Sequence, residues 1–162
     1  MFPVETAMTN DFDHLDHVTN SLIDAGIAKK ISAQIYQHQF SDGSTMTWDI
    51  DEMKYHVSQI QPSHRCVVSI SAAGVIEMVN SIESMKHVDK LYARTLPEEK
   101  ARLPIYIVEV TAPDKTRCSI VVDGNHRLYR AFLDRRGVKA ILIPPKVEFM
   151  SRRVDCSRSQ AP

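Results

Sequence analysis

No run of apolar residues approaches the roughly 18 that a membrane-spanning helix needs. The opening, Met1-Phe2-Pro3-Val4-Glu5, lacks the basic start and apolar centre of a secretion signal. The three cysteines, Cys66, Cys118 and Cys156, stand far apart with no CxxC pair. That spacing fits neither a tight Cys–His zinc site nor a disulfide framework. Separated thiols in odd number are expected of a reducing compartment, so the expected location is the cytoplasm. Charge of one sign is also missing, because 20 Lys and Arg balance 20 Asp and Glu. A global attraction to nucleic acid is thereby excluded, and any such binding needs a local patch. The pattern GxxxxGK[ST] does not occur, which excludes Walker-type catalysis. What is present is an ordinary globular composition, 43% hydrophobic and 25% charged, in 162 residues. That suffices for one domain with a real core plus an appendage.

Periodicity divides the chain. Phe12, Leu15, Val18, Leu22 and Ile23 fall on one helical face, with Asn10 or Asp11 as cap and Gly26 as terminator. Ile27, Ile31 and Ile35, four apart, predict a second helix and hence an N-terminal helical hairpin. A DNA-binding helix-turn-helix has the same outline, but the second helix offers only Lys29 and Lys30 as cations, and plain packing is the expectation. Ser41-Asp42-Gly43-Ser44 is a turn. Alternation at Met46, Trp48 and Ile50, and again at Tyr55, Val57 and Gln59, predicts one or two short strands before Pro62. Cys66 to Ile70 is a further apolar stretch. Ala72 to Met85 carries Val75, Met78, Val79, Ile82 and Met85 on a helical face. Residues 86–103 are polar and read as a surface insertion, with a fresh helix start around Pro97. Pro104 opens a strand containing Ile105, Ile107 and Val110, Ala112-Pro113-Asp114-Lys115 turns it, and Cys118 to Val122 returns. A helix is expected from Asn125 to Arg136, ended by Gly137, then a strand Ala140 to Ile143 stopped by Pro144-Pro145. Ser151 to Pro162 reads as a frayed tail. The expected division is 1–50 for the hairpin and first strand, 51–150 for the main domain and 151–162 for the tail.

The richest segment is Ile120-Val121-Val122-Asp123-Gly124-Asn125-His126-Arg127. An apolar strand runs into an Asp-Gly turn that opens directly into a helix. A helix N-terminus offers free N–H groups and about half a positive charge, so it attracts anions. His126 and Arg127 add side-chain donors there.

This third of the chain resembles the ParB/sulfiredoxin superfamily, on Val121-Val122-Asp123-Gly124-Asn125-His126-Arg127, then Ala131, Gly137 and Ile143-Pro144. Upstream, Val57 to Pro62 resembles the family's first strand with its I-x-P exit. Ser81-Ile82 and Pro104-Ile105-Tyr106-Ile107-Val108 resemble its S-I … P-I-x-V stretch. The resemblance spans roughly residues 53–147. It implies a small α/β (α+β) fold, a mixed sheet with flanking helices, whose signature turn binds phosphate. Activities within the family diverge: sulfiredoxins use ATP to repair an oxidised cysteine, ParB proteins bind CTP and clamp DNA, and others are kinases, ATPases or nucleases. Fold therefore does not settle function. Asn125 stands where sulfiredoxins have their cysteine, which leaves sulfinic repair without an evident nucleophile. The Glu-Arg-Arg of partition proteins is also absent, and only about 15 residues follow the last expected strand.

In the branch with His before Arg, the resemblance implies these roles. Gly124 lets a phosphate approach the main chain, Arg127 grips its oxygens or forms a surface ion pair with Asp123 or Asp134, and His126 donates to the phosphate or shuttles a proton. Asp123 either caps the helix or holds Mg²⁺ and orients His126. Asn125 steadies the turn or joins the phosphate site. Arg130 extends that site or pairs with Asp134. Glu109 is the candidate carboxylate for activating water or a hydroxyl, with Glu77 as a lesser one. Tyr106 and Tyr129 either stack on a base or belong to the core, and Arg135 to Lys139 forms a basic cluster. The expected function is an NTP-dependent phosphohydrolase or phosphotransferase, of ATPase, nuclease or kinase type, using ATP or CTP with Mg²⁺. The alternative is a non-catalytic nucleotide- or DNA-binding regulatory module, of the bacterial plasmid or phage kind. Implied partners are a nucleotide, DNA and a second copy of the chain, with no membrane.

Overall fold

A computed structural model describes residues 34–153. Two hairpins organise it, and both use one device. Strands β1 (Ile35–Gln39) and β2 (Thr45–Asp49) pair antiparallel. Their turn closes with the Phe40 N–H donating to Ser44 O at 2.8 Å and Gly43 at φ +85°. Strands β4 (Ile105–Thr111) and β5 (Arg117–Asp123) close likewise, with the Ala112 N–H on Thr116 O at 2.8 Å and Lys115 at φ +69°. In each turn an Asp accepts from the backbone N–H and hydroxyl two residues on, Asp42 from Ser44 and Asp114 from Thr116. That bond is what Asx turns supply, and it holds both exposed carboxyls below the ordinary aspartate range.

The architecture is mixed α/β: two sheets and six helices among the described residues. The larger sheet has the order β3-β6-β4-β5, with β3 at Cys66–Ile70 and β6 at Val138–Leu142. Only β4 and β6 run parallel in it. One face, bearing Val108, Val110, Ile120, Val122, Ile141 and Ile143, packs on Trp48, on Met53 and Val57 of α1 (Ile50–Gln59) and on Val147 of α6 (Pro145–Ser151). The other face, bearing Ile105, Ile107, Val121, Val138 and Ala140, is covered by α2 (Ala72–Ser81), α3 (Lys90–Thr95), α4 (Glu98–Ala101) and α5 (Asn125–Leu133). The small sheet, β1-β2-β7, takes Arg152–Arg153 as its last strand. No helix among the described residues is long and apolar enough to cross a membrane.

Several expectations are corrected. Ile35 lies in a strand rather than a helix, because the 41–44 turn returns the chain onto β1 and its residues alternate. The rest of the expected N-terminal hairpin falls outside the described residues. Tyr55 to Gln59 is helical rather than extended: Asp49 caps α1 by accepting from the Glu52 N–H, and Asp51 and Glu52 follow in the first turn. The alternation there was incidental, since Tyr55 is exposed while Ile50, Met53 and Val57 are buried. Helix α2 stops at Ser81, and a 3-10 turn covers Glu83–His87. Residues 86–103 are no mere insertion, because Val88, Ala93, Leu96 and Ala101 are buried. Helix α5 ends at Leu133, with Arg135 rather than Gly137 taking the left-handed conformation at φ +53°. Gly137 answers a different need: a Cβ there would lie 2.4 Å from Ile70 O. Pro145 starts a helix instead of only stopping a strand, and Ser151 is buried rather than frayed. A boundary at residue 50 divides one core, because Trp48 and Ile50 pack with Val108 and Val122.

Lys115 occupies a backbone region that costs a non-glycine residue about 1 kcal/mol. Lys115→Gly should therefore raise unfolding stability by up to about 1 kcal/mol in urea titrations, with the hairpin unchanged.

Candidate functional site

Strand β5 delivers Asp123 to the sheet end, Gly124 turns the chain at φ +98°, and α5 begins at Asn125. The first intrahelical bond runs from the Leu128 N–H to Gly124 O at 2.8 Å. No side chain caps the helix, so Asp123 is not its cap. The N–H groups of Asn125, His126 and Arg127 have no intrahelical acceptor, which is the geometry that attracts an anion. Gly124 is required by its backbone and by crowding: a Cβ would meet Ile105 Cγ2 at 2.7 Å and Arg127 Nη2 at 2.9 Å. The close approach that glycine permits is thus filled by the protein itself, not left open for a phosphate.

Asp123 is the centre of a buried charge cluster. Its Oδ2 meets Lys54 Nζ at 2.6 Å and Arg127 Nη2 at 3.1 Å, and its Oδ1 accepts from Gln34 Nε2 at 3.2 Å. Arg127 Nη2 also donates to Pro104 O at 3.0 Å. Asp123 is 2% exposed, Lys54 7% and Arg127 0%. Burial alone would push the Asp123 carboxyl up, but Arg127 and Lys54 together outweigh it and hold the group below its ordinary value. Two cations thus converge on one carboxylate. Arg127 Nε and Nη1 are buried with no hydrogen-bond acceptor among the described residues, as is the acceptor Asn125 Oδ1 without a donor. Of the two readings of Arg127, the ion pair with Asp123 is the one formed, but beneath the turn rather than at the surface.

Magnesium does not fit at Asp123. Both carboxylate oxygens already face donors, and a divalent ion there would have to displace two cations. Among the described residues no group of three His, Cys, Asp or Glu could hold a metal.

His126 is half-buried and stands edge-to-face on Tyr92 of α3, with ring centroids 4.9 Å apart. Burial lowers its pKa, Asp89 and Asp123 partly offset this, and Arg127 adds to it. The imidazole is therefore neutral at pH 7, with one donor and one acceptor nitrogen. Arg130 does not reach the phosphate site. It pairs with Asp134 at 2.9 Å and Glu98 at 3.5 Å and donates to the Leu96 and Arg94 carbonyls, clipping α3 and α4 onto α5. Glu109 is exposed, pairs with Arg117 at 3.2 Å and lies opposite Ser119. At about 3.3 Å per residue, Ser119 is roughly 13 Å along β5 from Asp123, so Glu109 stands away from the turn. Glu77 is exposed on α2. Tyr106 lies under Lys54 Nζ, 5.3 Å from its ring centre, and Tyr129 packs on Phe132. Arg136 of the basic cluster donates to Ala101 O and pairs with Asp134.

Lys54, Gln34 and Tyr92 join the site without having been expected there. Lys54 had a signal: with Ile50 and Val57 it forms an i, i+4, i+7 set, which puts a lysine on a buried helical face once the segment is read as a helix. Compared with known proteins, the chain matches no family model, no curated protein and no solved structure.

Removing the carboxylate would take a counter-charge from two buried cations, which costs roughly 3–5 kcal/mol. Asp123→Asn should lose most of that in urea unfolding at pH 7. The sign follows from the depressed pKa: Asp123's contribution is complete above its unfolded value of about 4 and is lost as pH falls through the lower folded value. The stability gap between wild type and Asp123→Asn should therefore narrow only below about pH 4.

Proposed function

We propose that the chain is a binding module for a phosphate-bearing ligand of nucleotide type, taken at the N-terminus of α5. The observation that carries this reading is the conjunction there of free helix N–H groups with the buried guanidinium of Arg127, which keeps two nitrogens without an acceptor among the described residues. The resemblance of Asp123-Gly124-Asn125-His126-Arg127 to the ParB/sulfiredoxin signature points the same way. Binding is preferred over turnover because the two carboxylates expected to act in chemistry are engaged elsewhere, Asp123 between cations and Glu109 with Arg117. With Asp123 and Glu109 so engaged, phosphoryl transfer lacks the base and metal ligand expected of them, and Asp89, the other described carboxylate near His126, accepts from the Tyr92 N–H as the cap of α3. One observation favours the enzymatic alternative, an NTPase, nuclease or phosphotransferase. A half-buried neutral His126 on an anion-attracting turn can accept a proton.

ATP, CTP, GTP and inorganic phosphate should be titrated against the full chain, following affinity calorimetrically and phosphate release chemically. Binding without release is the expected outcome. A bound phosphate favours imidazolium, so binding takes up a proton and tightens as pH falls from 7 through the lowered His126 pKa. His126→Gln should remove that pH dependence and weaken binding at low pH by about tenfold, the scale of one charge-assisted hydrogen bond. Release that disappears in His126→Gln would establish the enzyme instead. Absence of binding by all four probes would sink both readings.

A further inference from the structure

A pocket of about 310 Å³ opens beside α5, between the end of α2 and the 3-10 turn Glu83–His87. Its apolar lining is Val79, Ile82, Met85, Tyr129 and Phe132, and the exposed Lys86 and Lys90 complete it. Asn125, Tyr129 and Phe132 stand at i, i+4 and i+7 of α5, so they share one face. Tyr129 lies about 6 Å along that face from the helix N-terminus. Ser81 and Ile82 line this pocket and also line a second cavity with Val121. The Val121 carbonyl is 3.5 Å from Asn125 Nδ2, so one wall of the pocket continues to the turn. Tyr129 is half-buried, and Phe132 braces it with ring centroids 5.7 Å apart. Lys90 Nζ stands 6.0 Å from the Tyr129 ring centre. That is the outer limit of attraction between a cation and a ring face, so the ring can yield this face to a better partner.

Given the phosphate site proposed above, on which this step rests, we infer that the pocket takes the base of the same nucleotide, stacked on Tyr129. The phosphates then meet the N-terminus of α5, and the sugar passes over Asn125. An aromatic and apolar floor beside ammonium groups complements a flat ring that carries an anion. A nucleotide is both in one molecule. The spacing agrees, because one sugar separates base from phosphate and about one helical turn separates Tyr129 from Asn125. Every base presents a π-face, so stacking here favours nucleotides over inorganic phosphates without choosing strongly among bases. Purines, which bury the larger face, gain more than pyrimidines.

Calorimetry on the full chain compares ATP with inorganic triphosphate, which carries the phosphates without a base. ATP should bind at least about tenfold tighter, within the range for a base stacked on an aromatic ring. Tyr129→Ala should bring that ratio close to one, and Tyr129→Phe should keep it, because stacking needs the ring and not the hydroxyl. In the wild-type chain with ATP bound, NOEs should connect the adenine protons to the Tyr129 ring and the Met85 methyl group, a readout that needs no variant to fold. Equal affinity for ATP and triphosphate overturns the base pocket and leaves the phosphate site standing. A ratio that survives Tyr129→Ala, or bound ATP whose adenine shows no NOE to Tyr129 or Met85, overturns it too. Protein NOEs into the pocket that ATP does not displace do the same, and name residues of this chain or of a second copy as the occupant. If neither ATP nor triphosphate binds, the phosphate reading falls first and the base pocket with it.

Discussion

One carboxylate ties the two layers of this molecule together. Asp123 ends β5, the strand that leads into the signature turn, and it is reached by Lys54 from α1 on one face of the sheet and by Arg127 from α5 on the other. Gln34, at the entry to β1, adds a third tether. Inside protein an unpaired charge is costly, so none of the three charged groups can leave without penalising the others. Their mutual dependence fixes the position of the turn relative to both cores more strictly than apolar packing alone would, because hydrogen bonds have direction and hydrophobic contacts do not.

The same cluster determines what the turn can do. Gly124 is squeezed between Ile105 and Arg127, so the left-handed backbone is held from beneath and the first N–H groups of α5 keep a set direction. Arg127 acts from below as a fixed positive charge. His126, edge-to-face on Tyr92, and Asn125 are the residues of the motif that remain partly accessible. Arg130 and Arg136 spend their donors on carbonyls of Arg94, Leu96 and Ala101, which makes the polar 86–103 stretch part of the wall beside the turn. The result is a preorganised anion-facing helix end with little acid–base equipment around it.

How much of this was legible in the sequence varies with how local the deciding physics is. Strands β4, β5 and β6 and the start of α5 were readable because β-branched runs, an Asp-Gly turn and a helix signal sit in order within one stretch. Ile35 and the segment 55–59 were misread for opposite reasons. At Ile35 a four-residue spacing mimicked a helix until the hairpin partner across Gly43 decided otherwise. At Tyr55 and Val57 an alternation mimicked a strand, although Asp49, Asp51 and Glu52 spelled a helix start. That second error hid Lys54. Within the turn the i, i+4 spacing of Asp123 and Arg127 made their pairing legible, but not its burial: that depends on Lys54, which lies 69 positions before Asp123, and no local pattern carries it.

The central claim is that the N-terminus of α5 meets a phosphate group. Its most direct test is a ¹H–¹⁵N titration of the full chain with CTP and ATP, following the backbone amides of Asn125, His126 and Arg127 together with Arg127 Nε. Saturable shifts concentrated on these four signals are the predicted result, since anion binding at a helix end acts through those N–H groups. Shifts only elsewhere in the chain, or none at all four signals up to millimolar nucleotide, would contradict the account.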